Sequence, residues 1–236
     1  MSTIDQLMRL HVAAGVVALV SVFIPMVARK GGPAHRRAGW TFVLAMAVIC
    51  ATALPVAALR ARWAPSAGAL LFSQGALFVT LLSGASVWKG IRVLRVRGTG
   101  RHAHPLDLGV HVVMLAAGLW ALTLGIQARN AILLFFGPLA VLGAVADIRY
   151  WLNPNKPRMH WFFTHMSAMM SSAIAALTAF LFFGARALGS GTPSVAMFIG
   201  PTLLLTPILF AMRRHHERRI FLRRTPGPDA TRPSDL

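Results

Sequence analysis

The stretch Lys156–Phe180, KPRMHWFFTHMSAMMSSAIAALTAF, decides the fold class of this chain. It opens with basic residues and continues apolar for about 20 residues, the length that an α-helix needs to cross the hydrocarbon core of a bilayer. His165 lies inside the apolar part, about 1.5 turns from its start. The segment therefore predicts a transmembrane helix that carries an ionisable side chain, and such side chains within membranes are rare and commonly functional.

The rest of the chain repeats this pattern of long apolar runs. The chain has 236 residues, 56% of them hydrophobic, with a mean hydropathy of +0.62, which is too apolar for an ordinary soluble domain. The runs are too long for barrel strands and do not alternate with a period of two. We therefore predict an all-α polytopic bundle of seven transmembrane helices, over about Leu7–Ala28, Gly39–Leu59, Ala67–Trp88, Leu108–Gln127, Asn130–Ile148, His160–Ala185 and Val195–Met212. The short connection QARN predicts that helices four and five form a tight antiparallel hairpin.

Basic residues are distributed unequally between the two sides of this bundle. Nineteen Lys and Arg residues fall in the first, third and fifth connections and the C-terminal tail, and five fall on the other side. Basic connections stay cytoplasmic, so we expect the N-terminus outside and the C-terminus inside the cell's inner (plasma) membrane. Residues 1–212 then form the transmembrane domain, and residues 213–236 form a basic cytoplasmic tail whose Pro-rich end is disordered.

The partners that this charge predicts are lipids. The net charge is +18, and basic residues at the cytoplasmic face attract anionic lipid headgroups. No zinc pattern or recognisable nucleic-acid-binding fold accompanies the basic residues, so we expect no nucleic-acid partner. No hydrolase or metalloprotease motif is present, and the sequence leaves open whether the protein is an enzyme.

Five ionisable side chains converge on the basic side of the predicted bundle: His35, His111, Asp147, His160 and His165. His111 and His165 lie near the starts of two helices that enter from the same side, so they lie at similar depth in the inner leaflet. Two histidines on different helices at one depth can bind a haem iron from opposite faces, and we predict them as its ligands. His160 lies five residues before His165, roughly 140° around the helix, and does not suit the same metal. Alternatively, each histidine only hydrogen-bonds across the bundle.

Three motifs resemble those of a bacterial family of predicted multi-pass membrane proteins that is catalogued only as a domain of unknown function. They are HVAAG (His11–Gly15), KGGPAHRRAG (Lys30–Gly39) and WFFTHMSAMMSSAIAALTAF (Trp161–Phe180). The resemblance covers most of the membrane region, and it implies five site residues: His11, Lys30, His35, His165 and Met166. The family is loosely similar to transmembrane di-haem cytochromes, which implies haem b as a cofactor. Those cytochromes carry two histidines on one helix, one in each leaflet, and no helix here does, so at most one haem, in the inner leaflet, is expected.

Three functions follow as expectations. The first is haem binding and electron transfer to a redox partner at a histidine-lined site in the inner leaflet. The second is a pH-sensitive transporter or sensor of protons or small solutes, with a polar site that also draws on Asp147, His160 and Met169. The third is a structural or assembly subunit of a membrane complex, in which the histidines only pack.

Overall fold

The structure, a computed structural model, describes residues 3–98, 100–101, 104–184 and 194–222. Within these residues the chain is helical, without strands, and seven helices are long and apolar enough to cross a membrane. They are α1 (Thr3–Val27), α2 (Pro33–Arg62), α3 (Ala67–Arg92), α4 (Pro105–Gln127), α5 (Ala131–Leu152), α6 (His160–Ala179) and α7 (Val195–Leu222). The predicted all-α class and the predicted helix count are confirmed, and the orientation of the termini stays a prediction.

The helices extend beyond the apolar runs at several ends. α2 begins at Pro33 rather than Gly39, because proline suits the first helical position and Gly31 closes the preceding turn with φ +76°. α3 ends at Arg92, beyond its predicted end at Trp88, and continues as one 3₁₀ turn, Val93–Arg95. α7 passes through residue 212 without a break, and the predicted disordered end lies outside the described residues.

The α4–α5 pair forms the tight hairpin that its short connection predicted. Asn130 begins α5, with its side-chain Oδ1 accepting hydrogen bonds from the backbone N–H groups of the first turn. A Cβ atom at Gly125 would lie 2.9 Å from the backbone nitrogen of Leu134, and one at Gly137 would lie 2.9 Å from that of Leu122. Glycine at these two positions therefore lets the two backbones touch.

The middle of the bundle is formed by α3 and α6. α3 packs against α2, α4 and α6, and α6 packs against α1, α3 and α7. One apolar core lies between α1, α2, α3 and α6, and a second lies between α3, α4, α5 and α7. Large apolar side chains on the outer faces of α1 and α4 are exposed, as a lipid-facing surface requires. α3 therefore belongs to both halves of the molecule.

The connections α1–α2, α3–α4 and α5–α6 lie together at one end, which we call the basic end. Lys156 Nζ, from the α5–α6 connection, donates to the carbonyl of Gly100 at 2.9 Å. His160 Nε2 lies 2.9 Å from the carbonyl of Gly98. These bonds fasten the α5–α6 connection to the α3–α4 connection, and burial there lowers the pKa of Lys156 below its usual range.

Candidate functional site

A cavity of about 560 Å³ opens at the basic end between α1, α2, α3 and α6. Its walls are apolar and aromatic, with a small set of polar or charged side chains: Lys30, His35, Arg36, Arg97 and His165. Ligand pockets typically measure about 300–1,000 Å³ and combine apolar walls with a few polar groups. We call this site the histidine cavity, and it has the size and lining of a ligand site.

His35 lies in the first turn of α2, and its ring is held by the end of α1. The last carbonyls of a helix have no N–H partner within that helix. His35 Nδ1 lies 3.2 Å from the carbonyl oxygen of Pro25. Lys30 Nζ donates to the same oxygen at 2.7 Å and to that of Met26 at 2.8 Å. Because a carbonyl only accepts, the neutral His35 ring carries its proton on Nδ1, and Nε2 keeps a lone pair.

His165 on α6 is oriented in the same way by the end of α3. Its Nδ1 lies 2.7 Å from the carbonyl oxygen of Gly90, in the last turn of α3. The proton of the neutral ring is therefore also on Nδ1. A Cβ atom at Gly90 would lie 2.6 Å from Met169 Sδ, so glycine at this position leaves room for the Met169 side chain between α3 and α6.

The two imidazoles lie next to each other in the cavity. The ring centroids of His35 and His165 are 6.4 Å apart, with 63° between the ring planes. Two imidazoles that bind opposite sides of one metal atom have ring centres roughly 6 Å apart, given metal–nitrogen distances of about 2.0–2.1 Å. Metal-bound histidines also commonly donate the other ring N–H to a backbone carbonyl. The centroid separation of this pair and its two Nδ1 hydrogen bonds are what a metal held between the rings would require.

Methionine side chains complete one wall of the cavity. Four of them come from α6 and α7: Met166, Met169, Met170 and Met212. Thioethers are polarisable and fill irregular apolar space next to rings. Among the residues that the structure describes, no three His, Cys, Asp or Glu side chains group into a metal site. The cavity thus offers two imidazoles as metal ligands, and thioether and apolar side chains surround them.

A different set of charges joins α3 to α4. Arg92 makes two hydrogen bonds to Asp107, Nε to Oδ1 and one terminal guanidinium nitrogen to Oδ2, each 2.7 Å long. Trp88 Nε1 donates to Asp107 Oδ1 at 3.0 Å. The Asp107 side chain is only 1% exposed. This carboxylate is therefore buried with a full set of donors, the condition under which a buried charge is tolerated.

The adjacent contacts join α3 to α5. Lys89 forms an ion pair with Asp147 Oδ1, and His111 Nδ1 lies 3.5 Å from Asp147 Oδ2. The His111 ring is buried against Trp151, and its Nε2 has no hydrogen-bond partner. We call Lys89, Arg92, Asp107, His111 and Asp147 together the ion-pair cluster. It explains why α3 remains helical past Trp88, since both cations of its last turn find carboxylates on neighbouring helices.

The predicted pairing of His111 with His165 is not the one that the geometry favours. His165 contacts the carbonyl of Gly90, and His111 lies beside the partner of Lys89, so the two histidines do lie at a similar level. However, α3 separates α4 from α6, and His111 is not among the residues that line the histidine cavity. The neighbour of His165 across the cavity is His35.

Two other predicted site histidines, His11 and His160, have hydrogen-bond partners within the bundle. The Tyr150 hydroxyl lies 2.6 Å from His160 Nδ1, and Nε2 of that ring faces the carbonyl of Gly98. His160 therefore fastens two connections at the basic end. His11 Nδ1 lies 3.0 Å from Thr52 Oγ1 and joins α1 to α2 away from the cavity. The residues implied by the resemblance thus divide, with Lys30, His35, His165 and Met166 in the cavity and His11 outside it.

Comparison of the chain with protein-family models, with curated proteins and with solved structures gives no match. The family resemblance of the three motifs therefore stays a prediction. The case for a functional site is carried by the cavity, the orientation of its two imidazoles and its charges.

Proposed function

We propose that this protein is an integral membrane protein that binds one b-type haem in the histidine cavity, where His35 and His165 would hold the iron. The observation that carries the proposal is the imidazole pair, with ring centroids 6.4 Å apart and each Nδ1 held by a backbone carbonyl. Haem bound by two histidines supplies one-electron chemistry, so the function we infer is electron transfer.

The residues of the cavity fit this group in three ways. The Nδ1 hydrogen bonds to helix-end carbonyls fix the ring orientations and raise the basicity of Nε2. Trp40, Trp161 and the methionines provide apolar surface for a flat macrocycle. Basic side chains line the same cavity and suit the carboxylates that haem carries. The protein's part is to hold the two imidazoles in place and to keep the site apolar.

The capping role of Lys30 and His35 is the main structural alternative. Both side chains satisfy carbonyls at the end of α1, and a helix cap needs no ligand. A cap alone does not require a second histidine, held in the same way on α6 at the far side of a cavity. For this reason we favour the ligand site over the cap alone.

The test is the absorption spectrum of the full-length protein purified in detergent from haem-replete cells. We expect a Soret band for the wild type, and a loss of most of it in H35A and H165A. H11A is the matched control, because His11 is hydrogen-bonded within the bundle but lies outside the cavity. H111N distinguishes the two possible pairs, since it should keep the band if His35 is the ligand. A colourless wild type, or a band lost in H111N and kept in H35A, would refute the proposal.

Proton transport or sensing is the second candidate, and one observation favours it. His111 Nε2 is buried without a partner beside Asp147 in the membrane region, and such groups occur in proton relays. Proteoliposomes should then show proton flux that is lost in H111N. Equal flux through empty liposomes and through liposomes with the wild-type protein would exclude this candidate.

A further inference from the structure

The charges that line the histidine cavity are all positive. Lys30, Arg36 and Arg97 line it, and no Asp or Glu is among its lining residues. The acidic residues that the structure describes lie elsewhere: Asp5 in the first turn of α1, Asp107 and Asp147 in the ion-pair cluster, and Glu217 paired with Arg213 on α7. The cavity therefore has three cations without a carboxylate from the same lining.

Two of these cations, Lys30 and Arg97, have donors to spare. Lys30 Nζ uses two of its three protons on the carbonyls of Pro25 and Met26. Arg97 Nε donates to the carbonyl of Leu94 at 3.1 Å, and its guanidinium lies 4.8 Å from the centroid of the Trp161 ring. That stacking leaves the terminal nitrogens of the guanidinium available for bidentate recognition of an anion. Burial lowers the pKa of Lys30 below its usual range, a shift that an anion beside it would reverse.

We propose that Lys30, Arg36 and Arg97 form an anion-binding rim that takes the carboxylate or phosphate end of an otherwise apolar ligand. The inference deepens the proposed function when the anion is a haem propionate. The same chemistry would also recognise the phosphate of a phospholipid whose acyl chain enters the cavity. The walls and the rim together define a ligand that is apolar in its body and anionic at one end.

The first arm of the test compares two probes of equal shape. Iron protoporphyrin IX and its dimethyl ester are titrated into the full-length protein in detergent, and binding is followed at the Soret band. We expect the wild type to prefer the free acid by about tenfold or more, as charge-assisted hydrogen bonds imply. R36Q/R97Q should lose most of this preference while it keeps the cap that Lys30 makes on α1. R62Q, at the opposite end of α2, is the matched control and should behave as the wild type.

The second arm measures the phosphate source. Phosphatidylglycerol that co-purifies with the protein is quantified by mass spectrometry for the wild type, R36Q/R97Q and R62Q. If haem binds but acid and ester bind equally, and the lipid content is the same in all three proteins, the anionic rim is refuted and the haem proposal stands. If no haem binds but the lipid is lost only in R36Q/R97Q, the haem proposal fails and the rim is supported with a lipid as its ligand.

Discussion

The histidine cavity and the ion-pair cluster contain the same kinds of residue, and consecutive residues of α3 make contacts in each of them. Gly90 holds His165 on one side of the helix, and Lys89 holds Asp147 on the other. In the cluster, each carboxylate has a cation from α3 within reach. In the cavity, the cations have no carboxylate among the lining residues, and the two imidazoles border about 560 Å³ of space.

The two regions therefore differ more in the balance of their charges than in the types of residue that they contain. Buried ions that satisfy each other hold helices together and need nothing more. Cations and imidazoles that share a cavity without a countercharge remain able to bind an added group. A histidine in a membrane helix is thus informative about function only together with the groups around it.

Removal of one carboxylate from the ion-pair cluster should destabilise the bundle most. D107A leaves Arg92 without its partner, and breaking a buried pair on one side costs about 3–5 kcal/mol. Asp107 is 1% exposed and Arg92 is 20% exposed, so water replaces the lost contact only in part. The free energy of unfolding, measured by titration with denaturing detergent, reports the change.

The control is E217A, which breaks the Arg213–Glu217 pair on α7, where both side chains are exposed. Exposed pairs contribute about 0–1 kcal/mol, so this variant should unfold as the wild type does. An equal loss of stability in D107A and E217A would show that the ion-pair cluster is no more than a surface feature.

A side chain at Gly90 should disturb the wall between the two regions. In G90A the new Cβ would lie 2.6 Å from Met169 Sδ, and overpacking of this kind costs about 1–3 kcal/mol. The methionine is flexible and can shift, so we expect a folded protein whose affinity for added iron protoporphyrin IX is lower. G143A is the matched control, because nothing lies within 4 Å of a Cβ at that position of α5. If G90A binds as tightly as G143A, the contact between α3 and α6 does not shape the cavity.

The fold was predictable because apolar run length and charge placement are local properties of the sequence. Seven runs long enough for a bilayer give seven helices among the residues that the structure describes, and the short QARN connection gives the α4–α5 hairpin. The end of α3 was not predictable by composition alone. Lys89 and Arg92 look like loop residues until Asp147 and Asp107 are known to lie beside them, and those contacts join residues distant in sequence.

The site was predicted only in part for a related reason. The positions of His111 and His165 relative to their helix starts predicted that they lie at a common level. They did not predict which faces of α4 and α6 meet. The sequence signal that was missed concerns His35, and it lies in residues close to it in the chain. Pro25 lies just before the end of α1, and Lys30 and His35 follow within reach of the carbonyls that this end exposes. A lysine and a histidine placed so soon after a helix end predict a capped turn, which fixes the ring of His35.

Alkaline pH should weaken anion binding at the rim, and Lys30 sets the range. The ammonium binds the anion and the neutral amine does not, so affinity falls as pH rises through the pKa of Lys30 in the ligand-free protein. Burial places that pKa below the ordinary lysine value, which is about 10.4. We expect affinity for iron protoporphyrin IX to fall by up to about tenfold at alkaline pH below that ordinary value.

K30R separates this effect from other titrations in the cavity. The other charged or titratable groups that line it are His35, Arg36, Arg97 and His165. An arginine side chain stays protonated throughout that alkaline range, so K30R keeps the positive charge that Lys30 loses. The variant should therefore keep its affinity there, and a fall as steep as that of the wild type would mean that Lys30 does not contact the anion.

The smallest effect is expected at His11, which has a hydrogen-bond partner but lies outside the cavity. His11 Nδ1 bonds to Thr52 Oγ1, and that hydroxyl is placed to donate to the carbonyl of Val48 at 2.8 Å. Hydrogen bonds between membrane helices average about 0.6 kcal/mol. A double-mutant cycle of H11A and T52V should give a coupling energy of that size, with no change in affinity for iron protoporphyrin IX. A large loss of affinity in either single variant would show that a histidine with a hydrogen-bond partner outside the cavity can still belong to the functional site. The contrast between the ion-pair cluster and the histidine cavity would then not predict function.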